Sequence, residues 1–202
     1  MPDQLIAGLK RFRRESFPRF REHYEKLVSE GQHPSTLFIG CSDSRIVPTL
    51  LTDSAPGELF VVRNMGNFIP PFEPDAGYHG TSAAIEFAVL SLGVRDIVVC
   101  GHSHCGAIEA LYTPPSPATP HISSWLDLAR AAMLPEAPGQ ELLRRTEKRS
   151  IVLQLERLIA YPMVRDRVDE GDLCLHGWYY VLEEGTVHLL DVTSGRFVAI
   201  SD

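Results

Sequence analysis

The sequence has no apolar run long enough to cross a membrane. Its best candidate, Ala83 to Val99, is broken by Glu86, Arg95 and Asp96 and falls short of the roughly 20 residues a span needs. The stretch MPDQLIAGLKRFRRESF is charged where a secretory leader needs an apolar segment, so a cytoplasmic or compartment-interior location is expected. Positive charge is also in deficit. Nineteen Lys and Arg face 26 Asp and Glu, and the formal net charge of -7 argues against nucleic acid as a partner. The one basic run, Lys10, Arg11, Arg13 and Arg14, reads as the solvated face of a helix. Cysteines number four, at 41, 100, 105 and 174, and without an export signal they read as metal ligands or free thiols rather than bridges. There is no internal repeat and no long low-complexity tract. What remains is a chain of 202 residues, 44% hydrophobic, enough for the core of one compact domain.

Apolar residues recur at helical spacing through Leu5, Leu9 and Phe12 and again through Phe20, Tyr24 and Leu27, with Pro18 dividing the segment into two helices. Two apolar runs follow, Ser35 to Gly40 ending at Cys41, and Glu58 to Arg63 before the turn Asn64-Met-Gly-Asn67. Both read as buried strands of a parallel sheet. Gly80 to Leu92 has helical period, Gly93 stops it, and Asp96 to Cys100 reads as the next strand. A helix is expected from Cys105 to Tyr112, a loop at Pro114, Pro115, Pro117 and Pro120, and helical spacing over Ile122 to Met133 and Ile151 to Ile159. Leu173 to Leu182, a tight turn at Glu183-Glu-Gly185, and Thr186 to Val192 read as a strand and its returning partner. The single domain, 1–202, thus divides into a helical arm (1–33), a core bearing the candidate metal ligands (34–112), a Pro-containing loop with helices (113–150) and a C-terminal helix with strands (151–202). Strands alternating with helices indicate an α/β fold with a mostly parallel sheet, whose ligands bind at the carboxyl ends of strands. Cys41 follows one such strand, and His102 and Cys105 follow another.

The i,i+3 spacing of His102 and Cys105 predicts that both side chains share one face of a helical first turn. Thiolate with imidazole suits zinc. Cys41 would complete three ligands and leave one coordination position open, as in catalytic rather than structural sites. Spacing alone leaves a second reading standing, in which both cysteines are small buried hydrophobes and His102 is a hydrogen-bonded core residue. His104 is a rival ligand, ranked below His102 because a helix would turn it away from Cys105. Asp43 can bind a metal directly or accept a hydrogen bond from its water. Arg45 can hold that carboxylate bidentately and restrain it from the open position. A surface ion pair beside a turn is the plain alternative.

Cys41-Ser-Asp-Ser-Arg45 taken with Gly101-His-Ser-His-Cys-Gly106 resembles the paired signature of β-class carbonic anhydrases. The likeness continues through Gly57-Glu-Leu-Phe-Val-Val-Arg-Asn-Met-Gly-Asn67, Ile85-Glu-Phe-Ala-Val89 and Trp178, over roughly residues 30 to 192. The resemblance implies a parallel four-stranded sheet extended by a further strand and flanked by helices. It also implies an N-terminal arm wrapped on a partner subunit, in dimers or assemblies of dimers with active sites beside the interface. One Zn2+ per subunit is implied on Cys41, His102 and Cys105, with zinc-bound hydroxide hydrating carbon dioxide reversibly to bicarbonate and a proton. Asp43 is implied to orient that nucleophile while Arg45 holds it, or to become a fourth zinc ligand when Arg45 lets go. Gln32, Phe60 and the N–H of Gly106 are implied contacts to substrate or bicarbonate, against the plain readings of Gln32 as a solvated turn residue and Phe60 as core.

Two departures narrow what carries over. Phe87 stands where some relatives have a cleft tyrosine. Phe38 stands where the bicarbonate-inhibited subgroup has a tryptophan paired with an arginine and a distal tyrosine, so no allosteric bicarbonate pocket is expected although Arg63 is present. Two thiolates cancel the formal charge of Zn2+, which makes a basic pH optimum the expectation. Two other classes stand beside this reading: a cysteine-nucleophile enzyme with His102 as base, which lacks a phosphate-cradling loop and an orienting third group, and a silent family member acting as a structural or regulatory subunit.

Overall fold

A computed structural model describes residues 2–200 except 76, 115 and 138, so Pro115 of the expected loop lies outside the described residues. Helices α1 (Asp3–Arg11) and α2 (Phe17–Glu30) form the arm, joined by a π-helical turn over Phe12–Ser16. Pro18 does not end a helix here. It sits in the first turn of α2, where a missing N–H leaves no bond unmade, and the π-turn absorbs the junction. Neither helix buries a residue, and Leu5, Leu9, Phe12 and Val28 are exposed. The apolar stripe of α1 therefore lies open, while Phe20, Tyr24 and Leu27 of α2 are half-buried, Leu27 against Gly57.

Six strands make one sheet: β1 (Thr36–Cys41), β2 (Leu59–Asn64), β3 (Asp96–His102), β4 (Cys174–Val181), β5 (Thr186–Asp191) and β6 (Arg196–Ala199), in the order β2-β1-β3-β4-β5-β6. The first four are parallel and the last two return antiparallel. The parallel core is the expected one, but its extension has two strands where one was expected. β6 is only four residues long and mostly exposed, so no apolar alternation marks it in the sequence. β1 and β3 occupy the middle, buried on both faces, as their unbroken apolar runs require.

The helices on the sheet are α3 (Pro48–Leu51), α4 (Gly80–Glu86), α5 (Gly106–Ala110), α6 (Pro120–Leu126), α7 (Gln140–Ile159) and α8 (Pro162–Asp169). A π-turn extends α4 through Ser91, and a 3-10 segment, Asp127–Ala132, continues α6. The helix expected from Ile151 is thus only the last half of α7. No helix among the described residues is long and apolar enough to cross a membrane.

The main core joins Leu37, Ile39, Ile97 and Val99 of the central strands to Ile85 and Val89 beneath, and to Ile151, Leu158 and Tyr179. Two glycines let α7 approach the sheet closely. A Cβ on Gly101 would lie 2.8 Å from Ile151 Cδ1 and Cγ1, and one on Gly177 would lie 3.1 Å from Ile151 Cγ2 and Leu155 Cδ1. Gly101→Ala should therefore overpack this contact and cost about 1–3 kcal/mol, seen as a lower thermal midpoint. Combining it with Ile151→Val should recover part of that loss in a double-mutant cycle.

Candidate metal centre

Parallel pairing places the ends of β1 and β3 side by side, with Gly40 opposite Cys100. Cys41 closes β1 and His102 closes β3, both buried. The chain does not enter a helix at His102. Ser103 continues the ladder instead, donating its N–H to Tyr180 O at 2.9 Å, while its hydroxyl accepts from Leu182 N and donates to Glu183 Oε2. The backbone then reverses at His104, at a positive φ of 57°, and Cys105 caps α5. His102 and Cys105 therefore share no helical turn, contrary to the i,i+3 expectation. Sheet pairing through Ser103 overrides the local helical preference, and the reversal at His104 returns Cys105 to the strand end.

One nitrogen of His102 and the sulfurs of Cys41 and Cys105 all lie within 4.8 Å of one another. Ligand atoms around a tetrahedral zinc sit about 3.5–3.8 Å apart, given bonds of about 2.0–2.3 Å. The set therefore needs only a small contraction to close on a metal. His102 Nδ1–H donates to Ser103 O at 2.8 Å, which leaves the lone pair on Nε2, and buried Nε2 has no hydrogen-bond partner among the described residues. A buried, lone-pair-bearing nitrogen beside two thiols fits a metal, and a donor set of two sulfurs and one nitrogen suits zinc. His104 is no part of it. Its half-exposed ring points to Glu183, with Nε2 3.4 Å from Oε1.

The two thiols share a proton unequally. A hydrogen bond from Cys105 draws the Cys41 thiol well below the ordinary range against the cost of burial, helped by His102 and by the N–H groups of Asp43 and Gly66, each 3.4 Å from Sγ. The Cys105 thiol is pushed up, first by the Cys41 sulfur and then by burial.

Asp43 belongs to Arg45 in this structure. Oδ1 accepts from Arg45 N at 3.0 Å and Nε at 2.9 Å, and Oδ2 accepts from Nη2 at 2.7 Å. These bonds hold the Asp43 carboxyl far below its usual range. Arg45 Nη2 also donates to His104 O at 3.0 Å, tying the pair to the turn that carries Cys105. The loop has a second clamp in Arg63, whose Nε donates to Cys41 O at 3.0 Å and Nη2 to Asp43 O at 2.6 Å. Sequence reasoning missed that scaffolding role, although Arg63 stands one residue from the carboxyl end of β2, next to Cys41. Phe38 is fully buried and packs edge-on against Trp178, with 6.0 Å between ring centroids.

Of the three substrate contacts expected, only Gly106 adjoins the ligands. It opens α5 directly after Cys105, and open space lies where its Cβ would be. Gln32 is exposed before β1, at the opposite end of a strand roughly 16 Å long at about 3.3 Å per residue. Phe60 pairs with Leu37, and roughly 13 Å of strand separate it from Asn64, the neighbour of Cys41. Phe60 instead packs on the exposed Phe87 at 5.8 Å. Neither residue meets the site of its own chain, because each lies at the amino end of a strand whose carboxyl end carries the ligands.

In metal-free protein near neutral pH, the unequal thiol pair should show the ultraviolet absorbance of a thiolate. Cys41→Ser should abolish it. An unchanged spectrum in that variant would place the charge elsewhere.

The family model described as carbonic anhydrase matches residues 36–187. A carbonic anhydrase of Pseudomonas aeruginosa is 41% identical over 98% of this chain and 91% of its own length, and one of Synechocystis is 43% identical over 97% and 73%. Among solved structures, the β-carbonic anhydrase CcaA superposes with a TM-score of 0.91 at 41% identity, covering 99% of this chain and 92% of that one. A tetrameric β-carbonic anhydrase of Sordaria macrospora superposes with a TM-score of 0.81 at 26% identity, covering 94% and 98%. With its fold and its sequence both shared with these enzymes, the chain belongs to the β-carbonic anhydrase family.

Proposed function

We propose that this protein hydrates carbon dioxide reversibly to bicarbonate and a proton, using one zinc ion per subunit held by Cys41, His102 and Cys105. The observation that carries the reading is the unpartnered Nε2 of His102, buried against the sulfurs of Cys41 and Cys105. Zinc bound there supplies a Lewis acid that acidifies a water in its fourth position, an effect whose standard illustration is the carbonic anhydrase with three histidine ligands and a water pKa of about 7. Two thiolates neutralise more of the metal's charge than imidazoles do, so activity rises toward basic pH.

The protein's own groups do the rest. Asp43 keeps lone pairs beyond those used by Arg45 and would accept a hydrogen bond from the attacking oxygen, orienting that oxygen's lone pair toward carbon dioxide. Arg45 holds both Asp43 oxygens and would so keep the carboxylate off a bound metal, whereas Asp43 released from the pair could bind it and shut the site. The N–H of Gly106, free of helical bonding in the first turn of α5, receives an oxygen of bicarbonate. Gln32 and Phe60 serve a neighbouring copy's site across a dimer interface. The exposed Leu5, Leu9 and Phe12 of the arm and the exposed Phe87 support that assembly. The exposed free thiol of Cys174 fits a reducing interior such as the cytoplasm.

Purified protein should carry one zinc per chain by metal analysis and hydrate carbon dioxide faster as pH rises. Asp43→Ala should keep its zinc and lose turnover by about 100-fold or more, the scale of a misoriented reacting group. Zinc-free protein with full activity, or full turnover in that variant, would refute the reading. Bicarbonate should inhibit without cooperativity, since Phe38, packed on Trp178, stands in place of the tryptophan such inhibition uses and Arg63 is engaged by two carbonyls.

A further inference from the structure

One buried acid beside the ligands has no part in these steps. Glu147 of α7 is 3% exposed, and both of its oxygens are engaged. Oε1 accepts from Cys105 N–H at 3.0 Å, and Oε2 accepts from the hydroxyl of Tyr179 at 2.7 Å. Burying a carboxylate is costly, and these two donors from two other elements offset that cost.

The surroundings leave Glu147 little freedom. One turn later, Ile151 lies against Gly101, the residue just before His102. Its neighbour Thr146 bonds the hydroxyl of Tyr112 at 2.7 Å, and Tyr112 in turn accepts from Leu134 N at 3.0 Å. Lys148 Nζ sits 5.0 Å from the centre of the Tyr179 ring. Cys105, by contrast, follows a left-handed residue and caps a helix of only five residues. Its N–H belongs to no ladder and has Glu147 as partner.

We propose that Glu147, braced by Tyr179, is a positioning residue for the metal: its carboxylate fixes the Cys105 peptide and so aims Cys105 Sγ at Cys41 and His102. The inference rests on the reading that these three residues bind zinc. Its consequence is that zinc affinity depends on an acceptor at position 147, through the backbone of a ligand.

The test measures the zinc dissociation constant, by competition with a chromophoric chelator, for wild type, Glu147→Gln, Glu147→Met, Tyr179→Phe and Leu158→Ala. Met keeps the volume but leaves Cys105 N–H unpaired, and should weaken zinc binding about tenfold or more, the size associated with partners of metal ligands. Gln keeps a carbonyl for Cys105 and an amide that Tyr179 can accept from, and should stay near wild type. Tyr179→Phe should fall between Gln and Met, and it tests the brace if the Met variant does not fold. Leu158→Ala destabilises the same helix and should leave zinc affinity unchanged. The inference is overturned if Met binds zinc like wild type, if Gln is as damaging as Met, or if Leu158→Ala loses zinc equally. Wild type that fails to bind zinc would instead sink the earlier reading.

Discussion

Parallel pairing of β1 with β3 determines which residues can meet. Because both strands run the same way and end together, a cysteine at position 41 and a histidine at position 102 become neighbours. Neither position makes chemical sense alone. A register slip of one residue would turn each side chain to the opposite face of the sheet and scatter the set. The buried residues of β1 and β3 oppose such a slip, since both faces would have to repack at once. The apolar strands thus act as the frame on which a polar site is mounted at one edge.

Around that edge, charge is managed in layers. Nearest are two sulfurs of opposite pKa shift and a buried nitrogen with no hydrogen-bond partner among the described residues. Next come carboxylates that are each claimed by a donor: Asp43 by Arg45, and Glu147 by Cys105 N–H and Tyr179. Glu183, farther out, accepts from Ser103 and pairs with Arg144. No acid in this set is left without a partner. The backbone takes part as well, through the N–H groups of Asp43 and Gly66 on Cys41 Sγ and the carbonyls that Arg63 grips.

Much of this was legible in the sequence, for a physical reason. Buried parallel strands are short apolar runs, and the polar residues that interrupt them at their ends are the ones that reach the site, so Cys41, His102 and Asp43 stood out. The local path from His102 to Cys105 did not, because i,i+3 spacing is ambiguous between a helical turn and a reversal, and pairing of Ser103 with Tyr180 decided the matter. Glu147 was missed since α7 carries so many charges that its buried face, Glu147, Ile151, Gln154 and Leu158, does not read as an apolar stripe. An acid at the i−4 position of that stripe was the available signal. The distance from Gln32 and Phe60 to the ligands was also open to simple strand arithmetic, since extended chain carries a residue away from the end it precedes.

At the turn between the ligands, His104 donates nothing through its ring to the centre. What reaches Arg45 is its carbonyl oxygen, presented by a left-handed backbone. What the candidate centre takes from this position is therefore a backbone conformation, while the ring faces Glu183 outside it. Residues that tolerate positive φ, such as glycine, asparagine or aspartate, present the same oxygen. Between two candidate ligands, position 104 thus serves the centre through one carbonyl oxygen and the backbone that aims it.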